Sequence, residues 1–430
     1  MPGDTSVSPS RLVFTRRSFL QSAALASALP ALARAANPPP GASSGAIMAY
    51  VGAYSSPPPP PKPGQVDFPP GNGRGIHIFK QDPRTGLLEP AGIYADDSSP
   101  TSLAVHPRRT HLYSANRTSK GLGGDAGSVS AFAIDAKSGA LRPLNTVTSV
   151  DAGPAHMSIH RNGKWVFVAN YAGSSVAVFP VRPDGSIGEA SDVKKTSGTV
   201  GPKFSRNAPP GSFAFSGHDF PHSHMMELDP SGRFVLSTDL ALDRIFIWRF
   251  DDQKGAVTPH EPPSVALPPG DGPRHFAFHP NGRWLYSLQE EGANIVHFDY
   301  DAQAGRLTAR KMISSLPPGF AGSCFTSAIL VSRDGRFVYA ANRLHESIGI
   351  FSVGPTGELS FVDAEWTRGS YTRSFNFDPS GNYMYVCNQR ADNVTVFHVD
   401  RSSGRMRFTG QFLPVGNPSV IEFVELGRKD

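Results

Sequence analysis

ILVSRDGRFVYAAN (Ile329–Asn342), SIGIF (Ser347–Phe351) and TGELSF (Thr356–Phe361) follow one another in a single stretch, and their order decides the fold. The first runs a strand pattern into a turn and out into a second strand, with Gly335 supplying the left-handed turn position. The second alternates apolar and small polar residues, the period of a half-buried strand. The third opens on a glycine and resumes the alternation. Together they read as strand, turn, strand, connection, strand, turn, strand, a four-stranded meander.

The same unit recurs along the chain. Its third strand reads GIHIF ending at Phe79, SVSAF at Phe132, SVAVF at Phe179, RIFIW at Trp248, NIVHF at Phe298, SIGIF at Phe351 and NVTVF at Phe397. The spacings are 53, 47, 69, 50, 53 and 46 residues. An all-strand repeat of about 40–50 residues marks a β-propeller, one ring despite a length that would otherwise suggest two or three domains. The ends are incomplete units. AYVGAY (Ala49–Tyr54) lacks a leading strand, and PSVIEFV (Pro418–Val424) is a leading strand with nothing after it. The expectation is an all-β, seven-bladed β-propeller of four-stranded antiparallel blades, closed by pairing of the N- and C-terminal strands, which removes open sheet edges. It occupies residues 47–430. Two insertions interrupt it: 55–74, with Pro57–Pro61, and 194–221, rich in phenylalanine among glycines and prolines. The second is expected either to cap one mouth of the ring or to pack on its outside.

Residues 1–35 read as a targeting segment, followed by a linker at 36–46. Arg16-Arg17 followed by Phe19-Leu20, a short apolar stretch and Ala33-Arg34-Ala35 resemble a twin-arginine (Tat) export signal with its cleavage site. This implies export in the folded state to the periplasm or beyond. The segment holds four arginines and one aspartate, so the formal net charge of +5 falls to about +2 once it is removed. That is too weak to imply nucleic acid or a membrane surface as partner. The two cysteines, Cys324 and Cys387, fall in strands of different units and read as buried thiols. His222 and His224 alternate as if on one strand face, but no third ligand follows, so no metal or other cofactor is expected. No nucleophile elbow, Walker loop or zinc-protease motif occurs.

Chemistry shows where the units differ. The position six before the turn proline, or its equivalent, holds Thr101, Ala155, His224, Arg274, Ser327 and Arg373. The position just after the ten-residue turn-strand block holds Arg117, Tyr171, Leu240, Glu290, Arg343 and Gln389. Equivalent positions in a propeller form rings about its axis, so these residues should share the channel or its mouth. A repeat needs no arginine there, and an unpaired buried charge is costly. Several arginines with one acid and one histidine suit an anion and acid–base work. Inter-blade ion pairing is the structural alternative. His106 and His279 read as turn residues, and Arg233, Arg283 and Arg336 as solvated.

Pro221-His-Ser-His224, Gly272-Pro-Arg-His275, Leu288-Gln-Glu-Glu291 and Ala341-Asn-Arg343 resemble the seven-bladed lactonase family. That family holds propeller-type bacterial 6-phosphogluconolactonases and fungal 3-carboxy-cis,cis-muconate lactonizing enzymes. The resemblance runs from about residue 47 to the end. It implies a catalytic set of His224, Arg274, Glu290 and Arg343, with Glu290 preferred over Glu291. His222, His275, Arg373, Arg117 and His156 are candidate substrate contacts. The implied activity is hydrolysis of a sugar lactone or related cyclic ester by a monomer acting on a small, lactone or anionic substrate. A muconate-type cycloisomerase and a non-enzymatic binding propeller are the alternatives. Whether His224 or Glu290 is the general base stays open. Export, the proline run and the phenylalanine-rich insertion depart from a family associated with cytoplasmic sugar phosphates.

Overall fold

Alternating apolar residues on each strand have two faces to bury, and sheets stacked radially bury both. A computed structural model describes residues 45–57 and 71–427. The expected signal segment, most of the 36–46 linker and most of the proline-rich insertion lie outside the described residues. All the named elements are strands, and they form seven four-stranded antiparallel sheets. From the axis outward, blade 1 is Pro418–Glu425, Ile47–Ala53, Gly75–Gln81 and Leu88–Ala95. Blade 2 spans Pro100–Thr148, blade 3 Pro154–Lys195, blade 4 Ser223–Ala266, blade 5 Pro273–Ser314, blade 6 Phe325–Trp366 and blade 7 Thr372–Pro414. Each innermost strand adjoins that of the next blade, and Pro418–Glu425 closes the circle between blades 7 and 2. Ile47 pairs with Glu425 and Val51 with Ile421. The expected ring closure is therefore the one found.

One contact repeats at every blade boundary. The glycine opening each outer hairpin tail has a positive φ and lies against the second strand of the preceding blade. At Gly404, φ is +74°, and a Cβ there would lie 2.4 Å from a ring carbon of Phe337, so only glycine fits. The carbonyl of this glycine also accepts a hydrogen bond from Tyr339 Oη at 2.9 Å. Tyr50 to Gly139, Tyr113 to Gly185, Tyr286 to Gly357 and Tyr385 to Gly86 repeat the bond at 2.8, 3.0, 2.9 and 2.6 Å. At the other two boundaries Trp165 packs on Gly255 and Phe234 on Gly305. Between the blades the apolar faces interlock. Val129 and Ala131 meet Val166 and Val168, for example, and each buried valine contributes about 1.5–3 kcal/mol.

The strand edges of the insertions differ slightly from expectation. Lys194 and Lys195 belong to the outer strand of blade 3, so the loop proper runs from 196 to 222. Both cysteines are buried and free, as expected, with burial pushing each thiol up to about 12.

Tyr385 Oη bridges blades 7 and 1, the pair that joins the two ends of the repeat. Tyr385→Phe should lower unfolding free energy by about 1–3 kcal/mol, because the buried Gly86 carbonyl loses its donor. Gly86→Ala should cost more than that in chemical denaturation, since its φ is +71° and its Cβ would meet Tyr383 at 2.3 Å.

Candidate active site

The two sequence rings coincide with a repeated irregularity of the backbone. In each blade the register between innermost strand and neighbour slips once. The residues left out of the pairing are Ser419, Thr101, Ala155, His224, Arg274, Ser327 (with Ala328) and Arg373. A bulge re-aims a side chain out of the alternation, here at the same end of every blade. The second ring is tied to the first through the backbone. Glu290 N–H donates to Gly272 O at 2.7 Å, two residues before Arg274. Arg117, Tyr171, Leu240 and Gln389 make the same bond two residues before Thr101, Ala155, His224 and Arg373. Both rings therefore lie at one mouth of the channel.

At blades 5 and 6 this juxtaposition builds an ion cluster. Glu290 Oε2 lies 2.9 Å from Arg274 Nε, and its Oε1 lies 2.9 Å from Arg343 Nη2. All three side chains are buried, Arg343 completely. Arg343 also donates to Thr326 O at 2.7 Å and to Tyr371 Oη at 3.1 Å, and its guanidinium lies 5.0 Å from the Tyr371 ring centre. Arg274 donates to Ser327 O and, at 3.3 Å, to His275 Nε2. The last bond makes Nε2 the acceptor and leaves the ring proton on Nδ1.

Three histidines line up beside the cluster. The His224 ring lies 5.1 Å from His275, which lies 5.4 Å from His156. All three are held neutral. Burial, then the charge of Arg274, pushes His224 and His275 well below the usual histidine range, with Arg373 and Arg343 adding to it. Burial and Arg274 lower His156 to about 4. Two arginines sharing one carboxylate beside uncharged imidazoles leave a surplus of positive charge, suited to an anion or a developing oxyanion. Among the described residues no cluster of histidine, cysteine and acid has the arrangement of a metal site.

On the other side of the mouth, Arg373 and Arg117 each lie 5.9 Å from the centre of the Tyr54 ring. His222 stands apart. It precedes the innermost strand of blade 4 rather than alternating along it with His224, because the bulge at His224 breaks the alternation. Its ring stacks on Tyr171 at 4.1 Å, with Nδ1 at Tyr171 O (3.0 Å) and Nε2 at Asp219 (2.7 Å). The shared strand face expected for the two histidines is not formed.

Tyr54, Tyr371 and His218 escaped the sequence reading. Tyr371, two residues before Arg373, has a φ of +61°, a strained conformation for a bulky residue. Only its aromatic character just ahead of a ring position could have signalled it. The 196–222 loop lies over the turns of blades 4 to 6 at this same mouth. Ser216 N–H donates to Glu291 at 3.0 Å, Asn207 to Asp271 at 3.0 Å, and Phe213 N–H to Ser323 at 3.0 Å. Phe204 packs edge-on against Phe215, yet Phe204 and Phe213 stay exposed, so the phenylalanines are less enclosed than their number suggests.

Residues 48–423 match the model of the family described as lactonase, 7-bladed beta-propeller. The chain belongs to the seven-bladed β-propeller lactonase family. Its relatives include the 6-phosphogluconolactonase of Bacillus subtilis, 32% identical over 355 residues that cover 82% of this chain and 95% of the relative. Among solved structures, the periplasmic gluconolactonase of Pseudomonas aeruginosa superposes with a TM-score of 0.76 at 29% identity, covering 89% of this chain and 99% of that one. A putative 6-phosphogluconolactonase from Bacteroides fragilis also superposes at 0.76, with 28% identity and 90% and 100% coverage.

Because Glu290 is the counter-ion of two buried guanidiniums, Glu290→Ala should cost about 3–5 kcal/mol in urea unfolding at neutral pH. Glu290→Gln, which keeps the shape and one acceptor, should cost less.

Proposed function

We propose that this protein hydrolyses a sugar lactone at the mouth formed by blades 4 to 7. The observation that carries this reading is the carboxylate of Glu290 held between Arg274 and Arg343 beside the neutral His224. Glu290 is held on both oxygens by its two partners, which makes it an orienting group. It fixes both guanidiniums so that their positive charge faces the lactone carbonyl oxygen as negative charge develops on it. His224, uncharged, has a free lone pair at neutral pH and takes the proton from the attacking water. The water oxygen bonds to the carbonyl carbon. As the tetrahedral intermediate collapses, the ring C–O bond breaks, and the imidazolium of His224 returns the proton to the leaving alkoxide. The product is a hydroxy acid.

His275 and His156 continue the wall beyond His224 and would contact the sugar hydroxyls, while Arg373 and Arg117 would take the far, polar rim. His222 acts through Tyr171, whose ring it supports. Support for an unphosphorylated lactone comes from the Arg16-Arg17 segment, which would export the chain through the Tat route, and from similarity to a periplasmic gluconolactonase.

Lactones can be screened by proton release, with the Glu290→Gln protein as control. On an accepted lactone, His224→Ala and Glu290→Gln should each lower kcat by about 10²–10⁴; wild-type rates in both would eliminate this site. The acid limb of kcat/KM supplies a second check. A histidine whose pKa is depressed keeps its lone pair as the solution is acidified, so activity should persist below pH 6. An acid limb centred at or above the ordinary histidine value of about 6.5 would exclude His224 as the base.

A further inference from the structure

His218 lies on the loop between blades 3 and 4, and its side chain is 1% exposed. Its Nδ1 is 3.4 Å from Glu291 Oε1, on the mouth turn of blade 5, and its Nε2 is 3.8 Å from Asp243 Oδ1, on the mouth turn of blade 4. Neither ring nitrogen makes a hydrogen bond, and Glu291 Oε2 has no donor either. Three buried polar atoms without hydrogen bonds would be costly in an uncharged arrangement. An imidazolium between two carboxylates turns the same geometry into attraction. Burial alone would lower the His218 pKa, but Asp243 and Glu291 outweigh it and raise it to about 10.

The charged surroundings are one-sided. Asp243 accepts Gly270 and Gly272 N–H at 2.7 and 3.0 Å, and Asp271 beside it accepts Asn294 from its own blade and Ser205 and Asn207 from the loop. Glu290, next to Glu291, is already held by Arg274 and Arg343. On the loop itself, Lys203 lies over the Phe215 ring at 3.7 Å and Asp219 binds His222. His218 is thus the cation placed against Glu291 and Asp243. The loop continues to blade 6, where Gly322 N–H meets Pro210 O at 2.9 Å.

We infer that His218 is a positioning residue: its positive charge, inserted between Glu291 and Asp243, seats the 196–222 loop as a fixed roof over the blade 4–6 side of the site. Substrate then approaches from the side of Tyr54, Arg117 and Arg373. The seat stands on the two carboxylates that face the His218 ring, whereas its effect on substrate binding rests on the lactonase reading. Without the charge, Glu291 is an unneutralised buried carboxylate beside Glu290, held only by the Ser216 donors.

The test is limited proteolysis joined to kinetics. Trypsin sites at Lys203 and Arg206 are exposed on the roof. In His218→Gln, cleavage after these residues at pH 8 should rise about tenfold or more, as for a segment that now opens locally. KM for an accepted lactone should rise about tenfold with kcat within about threefold, the signature of lost binding rather than lost chemistry. Adding Glu291→Gln removes the orphaned charge, and the double variant should return toward wild type in both measurements. Unchanged cleavage in His218→Gln, or a double variant worse than either single one, overturns the seat. Faster cleavage with an unchanged KM overturns the roof's part in substrate binding. If the wild-type protein opens no lactone, the lactonase reading fails, and the cleavage rates alone decide the seat.

Discussion

Everything in this molecule depends on how closely one blade can approach the next. The limit is set at a glycine carbonyl under a tyrosine hydroxyl. Five of the seven boundaries use that bond, always in the same sense around the ring, from the second strand of one blade to the outer hairpin of the following one. Missing Cβ atoms let the sheets meet face to face, and the buried hydroxyl leaves the glycine carbonyl satisfied. At the remaining boundaries Phe167 and Leu236 stand where the others have tyrosine, and the residue two places earlier, Trp165 or Phe234, packs on the glycine, with Trp165 Nε1 reaching Asp252 O. The contact lies at the opposite end of the blades from the charged mouth.

The mouth is built by an irregularity that the repeat itself imposes. A bulge at the start of every innermost strand leaves one residue unpaired, two in blade 6, and turns it out of the alternation. In four blades the residue is small, and in two of these it ties its blade to a neighbour, Ser419 to Thr101 O and Ser327 to Thr372 O. In blades 4, 5 and 7 it is His224, Arg274 or Arg373. The framework therefore supplies seven equivalent positions without supplying chemistry, and three of them carry the histidine and arginines of the mouth. Low dielectric there does the rest, since the same guanidiniums that need Glu290 hold the neighbouring imidazoles neutral.

Much of this was legible in the sequence, for reasons that can be stated. The strand ending at Phe351 and its counterparts counted the blades, because a pattern forced by packing on both faces must repeat wherever a blade does. Counting back from each turn proline placed Arg274 and Arg373 in one ring, because the bulge keeps a constant offset from the turn. The Glu290 pairing was accessible only as proximity; its two-sided geometry depends on where side chains of different blades meet. His222 was misread because alternation assumes an unbroken strand, and the bulge at His224 breaks it. Tyr54, Tyr371 and His218 stayed hidden because nothing in their local sequence distinguishes them. Each matters through a partner far away in the chain, and the 196–222 loop follows no repeat from which an offset could be taken.

Pairing Ile47 with Glu425 makes the chain's first described strand wait for its last. Blades 2 to 7 are each assembled from consecutive residues and can form as synthesis proceeds, whereas blade 1 closes only when residues 418–425 have emerged. The final step is thus a search over nearly the full contour of the polypeptide, the slowest kind of contact to make. Until it happens, the inner edge of Ile47–Ala53 is open to water and to other chains. An export route that accepts only finished molecules would suit such a topology, because the ring cannot be completed in instalments on the two sides of a membrane.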